Sequence, residues 1–177
     1  FFRLSSYRDP LRAHYRAHPE FLQPEVRRNE MIRLLEGGLE DISVSRTGQS
    51  WGIPLPFDPS SVVYVWFDAL INYIAAIGYG TDEALFERWW PAQLHVVGKD
   101  ITRFHTIVWP AMLMSAGVTM PAQVFGHGWV HWQGRKMSKS QGNALDVDTL
   151  LESFGADVCR WWVSSLSYGW ILYTSPS

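Results

Sequence analysis

The 177-residue chain reads as an α/β domain built on an open parallel sheet, with helices flanking the strands. Two observations predict this. Short apolar runs alternate with segments of helical spacing: VVYVW at 62–66, LHVV at 94–97 and the strand at 123–125 are each followed by a loop or helix. That rhythm builds parallel sheets, whose strands are buried on both faces. The residues with ligand-binding chemistry also fall just after these runs. They are Asp68, then Gly98 and Asp100, then His127 and Gly128. In open α/β sheets, ligands bind at the carboxyl ends of the strands.

The elements follow in order. Residues 3–18 carry Leu4, Tyr7, Leu11 and Tyr15 at helical spacing, and 25–36 form a second helix, begun by Pro24 and ended by Gly37 and Gly38. His14 and His18 are four apart, but no third ligand lies nearby, so they read as a helix face and not a metal pair. Ile42 to Ser45 alternates as a short strand that closes at Arg46. The loop WGIPLPFDPS at 51–60 leads into VVYVW, expected to be a doubly buried strand ending at Trp66, and a helix over 67–77 follows. A helix from Gly98-Lys99-Asp100 through Met114 follows LHVV, and two more cover 146–153 and 156–166.

Hydrophobic residues make up 47% of the chain, enough for a packed core. Aromatics reach 15%, with ten Trp, which serve core packing or a stacking or apolar ligand surface. Fifteen basic against seventeen acidic residues give a net charge of −2, which excludes a surface coated by nucleic acid and confines any polyanion contact to a patch. The single cysteine, Cys159, forms neither a disulfide framework nor a cysteine zinc site, which fits a reducing compartment. No apolar run is long enough to span a membrane, and no signal peptide is visible.

Residues 134–143 read GRKMSKSQGN. Lys136 and Lys139 are mobile point charges on a glycine-bounded loop, suited to a phosphate chain whose charge grows during reaction. A solvated surface loop has the same composition. Asp100 suits ribose hydroxyls and equally suits a helix start. Trp66, Ala69, Leu70 and Tyr73 share one helix face, which either lines an apolar ligand or packs the core. Ile101 and His105 face inward together, and Arg46 is placed for a carboxylate or phosphate, or for a surface ion pair.

Taken together these stretches resemble the class I aminoacyl-tRNA synthetases, specifically their methionyl members. KMSKS at 136–140 is similar to that class's second signature loop. DISVSRT at 41–47, WGIP at 51–54, YVWFDALINYI at 64–74, VGKDITRFH at 97–105, WPAMLMSAG at 109–117 and HGWV at 127–130 resemble methionyl blocks in the family's order. The resemblance implies the second half of a Rossmann-like nucleotide-binding fold. Residues 1–40 would form a helical connecting segment, 41–145 the half-domain ending in the KMSKS loop, 146–169 a helical stem-contact segment and 170–177 an atypical tail.

The resemblance also implies roles. Trp66, Ala69, Leu70, Tyr73, Ile101 and His105 match positions lining the methionine pocket. Gly98 and Asp100 match the ribose-binding pair. Gly128, Trp129 and Val130 match the adenine stretch. Lys136, Met137, Ser138, Lys139 and Ser140 match the pyrophosphate loop, and Arg46 an arginine implicated in activation. Lys136, Lys139 and Arg46 are the expected catalytic groups. ATP with Mg²⁺, methionine and tRNA(Met) are the expected substrates, with no metal held by this chain, no membrane partner and a cytoplasmic location. The family's HIGH-type tetrapeptide is absent from this sequence. An upstream half carrying it is the expected partner, and the chain alone is expected to be inactive. Two alternatives are a synthetase for another amino acid and an inert synthetase fragment.

Overall fold

The computed structural model describes residues 1–129, 131–132, 135–138 and 142–165. They form two compact units, Phe1–Phe125 and Gly126–Ser177.

The first unit opens with a 3-10 turn at Leu4–Tyr7 and helix α1 (Arg8–Ala17). Leu4, Leu11 and Tyr15 are buried, as their helical spacing requires. Strand β1 (Leu22–Gln23) and helix α2 (Glu25–Gly37) follow, with Pro24 at the N-cap. Then come β2 (Ser45–Thr47), β3 (Pro54–Leu55), β4 (Asp58–Val63), α3 (Val65–Ala75), α4 (Glu83–Trp89) and β5 (His95–Gly98). A 3-10 turn at Lys99–Ile101 and a π-helix at Phe104–Val108 lead into α5 (Trp109–Ala116); β6 (Val124–His127) follows, and its first two residues close the unit.

The α/β class holds. One sheet has the order β1-β6-β5, and β1 runs parallel to β6 with Leu22 opposite Val124. Leu11, Leu35, Leu70, Trp109 and Val124 share a single buried core. β1 carries no sequence signal, because two residues are too short for periodicity.

VVYVW departs from its expected form. Its first two residues end β4, which pairs antiparallel with β2 and β3 in a separate three-stranded sheet. Tyr64 then caps α3, so Trp66 lies in a first helical turn rather than at a strand end. Val65 is 60% exposed, so the run is not buried on both faces. A short apolar run serves a strand or a buried helix equally, and here it serves both in succession. The strand expected at 42–45 is likewise shifted onto β2; Ile42 makes only an isolated bridge with Phe2.

Gly52 lies in the loop between β2 and β3 and packs against β4. Its φ is +147°, and a Cβ there would lie 2.8 Å from Val62 Cβ. Gly52→Ala is expected to cost about 2 kcal/mol, from backbone strain plus overpacking, read as a lower urea midpoint at unchanged m-value.

The second unit holds β7 (His131–Trp132) paired antiparallel with β8 (Arg135–Lys136), then α6 (Val147–Phe154) and α7 (Ala156–Ser165). Asp146 caps α6 by accepting from the Thr149 amide at 3.0 Å.

Candidate active site

Two arrangements in the first unit carry predicted residues. The first is an aromatic cluster between α3 and the segment after β5. Trp66, Ala69, Leu70 and Tyr73 recur on one face of α3. Leu70 is buried in the core and Ala69 half-buried. The Trp66 ring lies flat on Phe104, with centroids 4.2 Å apart, and edge-on to His105 at 6.3 Å.

His105 is the polar centre of this cluster and is 1% exposed. Its Nδ1 lies 2.9 Å from the Ile101 carbonyl, which can only accept, so Nδ1 carries the proton. Nε2 is then an acceptor, and the Tyr73 hydroxyl donates a hydrogen bond to it at 2.9 Å. Burial lowers the His105 pKa, partly offset by the bond to Ile101. The imidazole is therefore neutral near pH 7, with one tautomer fixed.

The π-helix explains how the backbone tolerates this. In a π turn the amide bonds reach five residues back instead of four. The carbonyls of Ile101 and Thr102 accept from the His105 and Thr106 side chains four residues on. Pro110, near the start of α5, has no N–H to aim at the Thr106 carbonyl, and the Tyr15 hydroxyl donates to it at 3.2 Å.

The second arrangement surrounds Arg46 on β2. Its guanidinium lies 3.6 Å above the Tyr64 ring, and Nη1 donates to the carbonyls of Ser43 and Ser45. These contacts hold the cation beside a cleft of about 440 Å³ lined also by Gln49, Trp51, Tyr64 and Asp68. Gly98 ends β5 and Asp100 follows in the 3-10 turn, exposed.

In the second unit, Lys136 lies on β8 with its Nζ 3.6 Å from the Trp129 ring centroid. Asn143 brackets the loop: its Oδ1 accepts from the Ser138 amide at 2.8 Å, and its Nδ2 donates to the Lys136 carbonyl at 3.0 Å. The Leu145 amide points at Met137 Sδ, 3.4 Å away. His127 bonds the Gly128 carbonyl through Nδ1 at 2.8 Å. Val130, Lys139 and Ser140 lie outside the described residues.

Sequence reasoning misses Phe104, Trp109, His95 and Asn143. Phe104 and Trp109 fall within VGKDITRFH and WPAMLMSAG, but their helical face cannot be assigned without the π turn. Among the described residues, no group of three or more metal-ligating side chains occurs. No helix is long and apolar enough to cross a membrane among those residues.

An α/β unit with parallel strands, followed along the sequence by KMSKS, is the pattern of a class I synthetase. The family model for tRNA synthetases class I (M) matches residues 1–169, and the chain belongs to that family. The methionine–tRNA ligase of Thermotoga maritima is 55% identical over 163 residues, 92% of this chain and 26% of that protein. That of Mycobacterium leprae is 54% identical over 92% of this chain and 30% of its own length. The Mycobacterium tuberculosis methionyl-tRNA synthetase in complex with methionyl-adenylate superposes with a TM-score of 0.86 at 53% identity, covering 92% of this chain and 32% of that one. The chain thus spans about a quarter to a third of the length of these relatives.

Proposed function

We propose that this chain supplies the second half of the catalytic domain of a methionyl-tRNA synthetase. The observation that carries this reading is its likeness, at 53% identity over 92% of its length, to a synthetase that holds methionyl-adenylate. The Trp66–Tyr73–His105 cluster supports it chemically. A flexible, polarisable thioether suits an aromatic enclosure with a neutral polar pair.

In this reading a methionine carboxylate oxygen attacks the α-phosphorus of ATP, which enters with Mg²⁺. The bond from that phosphorus to the bridging oxygen breaks, pyrophosphate leaves with the electron pair, and methionyl-adenylate remains. The methionyl group then passes to the terminal ribose of tRNA(Met). The first step needs positioning and charge stabilisation more than a protein base. Lys136 and Lys139 stabilise the departing pyrophosphate, with Met137, Ser138 and Ser140 shaping the loop around it. Arg46 acts on the reacting carboxylate and phosphate. Gly98 and Asp100 take the ribose, and Gly128, Trp129 and Val130 the adenine. Trp66, Ala69, Leu70, Tyr73, Ile101 and His105 enclose the methionine side chain. Residues 1–40 connect, 41–145 carry the site and 146–169 contact the tRNA stem. The HIGH-type segment comes from an upstream half, and the enzyme works in the cytoplasm.

The test is methionine-dependent ATP–pyrophosphate exchange by this chain fused to the upstream half of the T. maritima relative. Exchange is expected with methionine alone among the amino acids, and Lys139→Ala is expected to lower it about a hundredfold. Exchange driven by another amino acid would reassign the pocket. A folded fusion with no exchange would leave an inert fragment.

A further inference from the structure

His95 begins β5, with its amide donating to the Gln123 carbonyl at 2.9 Å. Along β5 the side chains alternate, and His95 and Val97 face the interior while Val96 is exposed. His95 is 8% exposed, yet its Nε2 is buried with no hydrogen-bond partner among the described residues. An unpaired buried ring nitrogen is costly, so hydrogen bonding within the chain does not account for an imidazole here.

What the ring does touch is other rings. Its centroid is 4.6 Å from that of Tyr73, 6.1 Å from His105 and 6.2 Å from Trp90. The other rings about Tyr73 are farther: His105 at 5.6 Å and Trp109 at 6.2 Å. Tyr73 itself is 39% exposed, so its neighbours enclose it only in part. Its hydroxyl must still stay 2.9 Å from His105 Nε2. Burial lowers the His95 pKa, so the ring is uncharged near pH 7 and packs as a flat neutral plate.

We propose that His95 is a positioning residue: its ring backs Tyr73 and so holds the Tyr73–His105 pair in the geometry that reads the methionine side chain. The inference rests on the methionine reading above. It is a role of shape, so another planar ring should fill it and a small side chain should not. With alanine at 95, Tyr73 can lean into the vacated space, and its hydroxyl loses alignment with His105.

The experiment uses the same fusion with His95→Ala and His95→Phe. His95→Ala is expected to raise the methionine KM about tenfold while the ATP KM stays within about twofold, and to reduce preference for methionine over norleucine. His95→Phe is expected to bring the methionine KM back to within about threefold of the parent. Should His95→Ala not fold, His95→Val leaves a smaller void and carries the same comparison.

An unchanged methionine KM in the small variant overturns the proposal. So does a phenylalanine variant no better than alanine, or a parallel rise in both KM values, which marks general damage. A folded parent that exchanges with no methionine fails on the functional reading instead. Tyr73 ring resonances in ¹³C-tyrosine-labelled protein then decide the positioning role separately. Signals displaced by His95→Ala and restored by His95→Phe support it; signals the same in all three proteins overturn it.

Discussion

In the fusion with the upstream half, and on the methionine reading proposed above, replacing His105 with alanine is expected to lower kcat/KM for methionine about a hundredfold, roughly 3 kcal/mol, with the ATP KM nearly unchanged. The side chain is almost wholly buried and makes two hydrogen bonds, one fixing its tautomer and one holding Tyr73. Its loss removes both, and it also removes the edge that faces Trp66. Charged or bonded groups that act as a unit lose more than their separate shares. Tyr73→Phe removes only the hydroxyl and is the milder companion. It leaves Nε2 without its donor, but keeps the ring in place. Measuring both singles and the double in the exchange assay gives the coupling. Additive losses would mean that the two side chains do not act as a pair.

Acid is expected to unfold this chain well above the usual carboxylate range. The His95 pKa is lowered by burial, and then by His105, to about 4, against an ordinary histidine value of 6.5. A histidine whose folded pKa is depressed binds fewer protons folded than unfolded between those two values. Its contribution is present in full above pH 6.5 and is lost as pH falls toward 4. For His95 this is about 3 kcal/mol. His14 acts in the same direction, with its pKa lowered by burial and by His18, and so does His105. Urea midpoints at pH 7.5 and pH 5.0 measure the drop, and His95→Phe should flatten it. Equal midpoints at the two pH values would refute the assignment of neutral buried imidazoles.

The helices that pack the core are legible in the sequence because their apolar residues recur every three or four positions. Leu4, Leu11 and Tyr15 are buried as that spacing requires. The class of fold is legible for a related reason, since three residues of LHVV form β5 and the chain then turns into helix as the pattern demands. VVYVW misleads because period does not separate strand from helix over five apolar residues. The switch from strand to helix turns on the Tyr64 backbone, which extends just before α3. Within the site, the face containing Trp66 and Tyr73 can be read from their spacing on one helix. Phe104 and Trp109 cannot, because 3.6-residue counting fails across a π turn. His95 gives a faint signal, a histidine on the inward side of an alternating strand. Asn143 gives none, since its bonds reach back five and seven residues in an irregular loop.

The π-helix at Phe104–Val108 makes the aromatic wall depend on a count of residues as much as on their identity. Each residue advances a helix by about 100°. Taking one residue out of this stretch would let ordinary α-helical bonding resume, and would change both the angle and the rise between the residues at its two ends. Phe104 opens the π turn and Trp109 follows it, one against Trp66 and the other against Tyr73. No change confined to side chains would restore that phase. In this segment, length is inherited as strictly as chemistry.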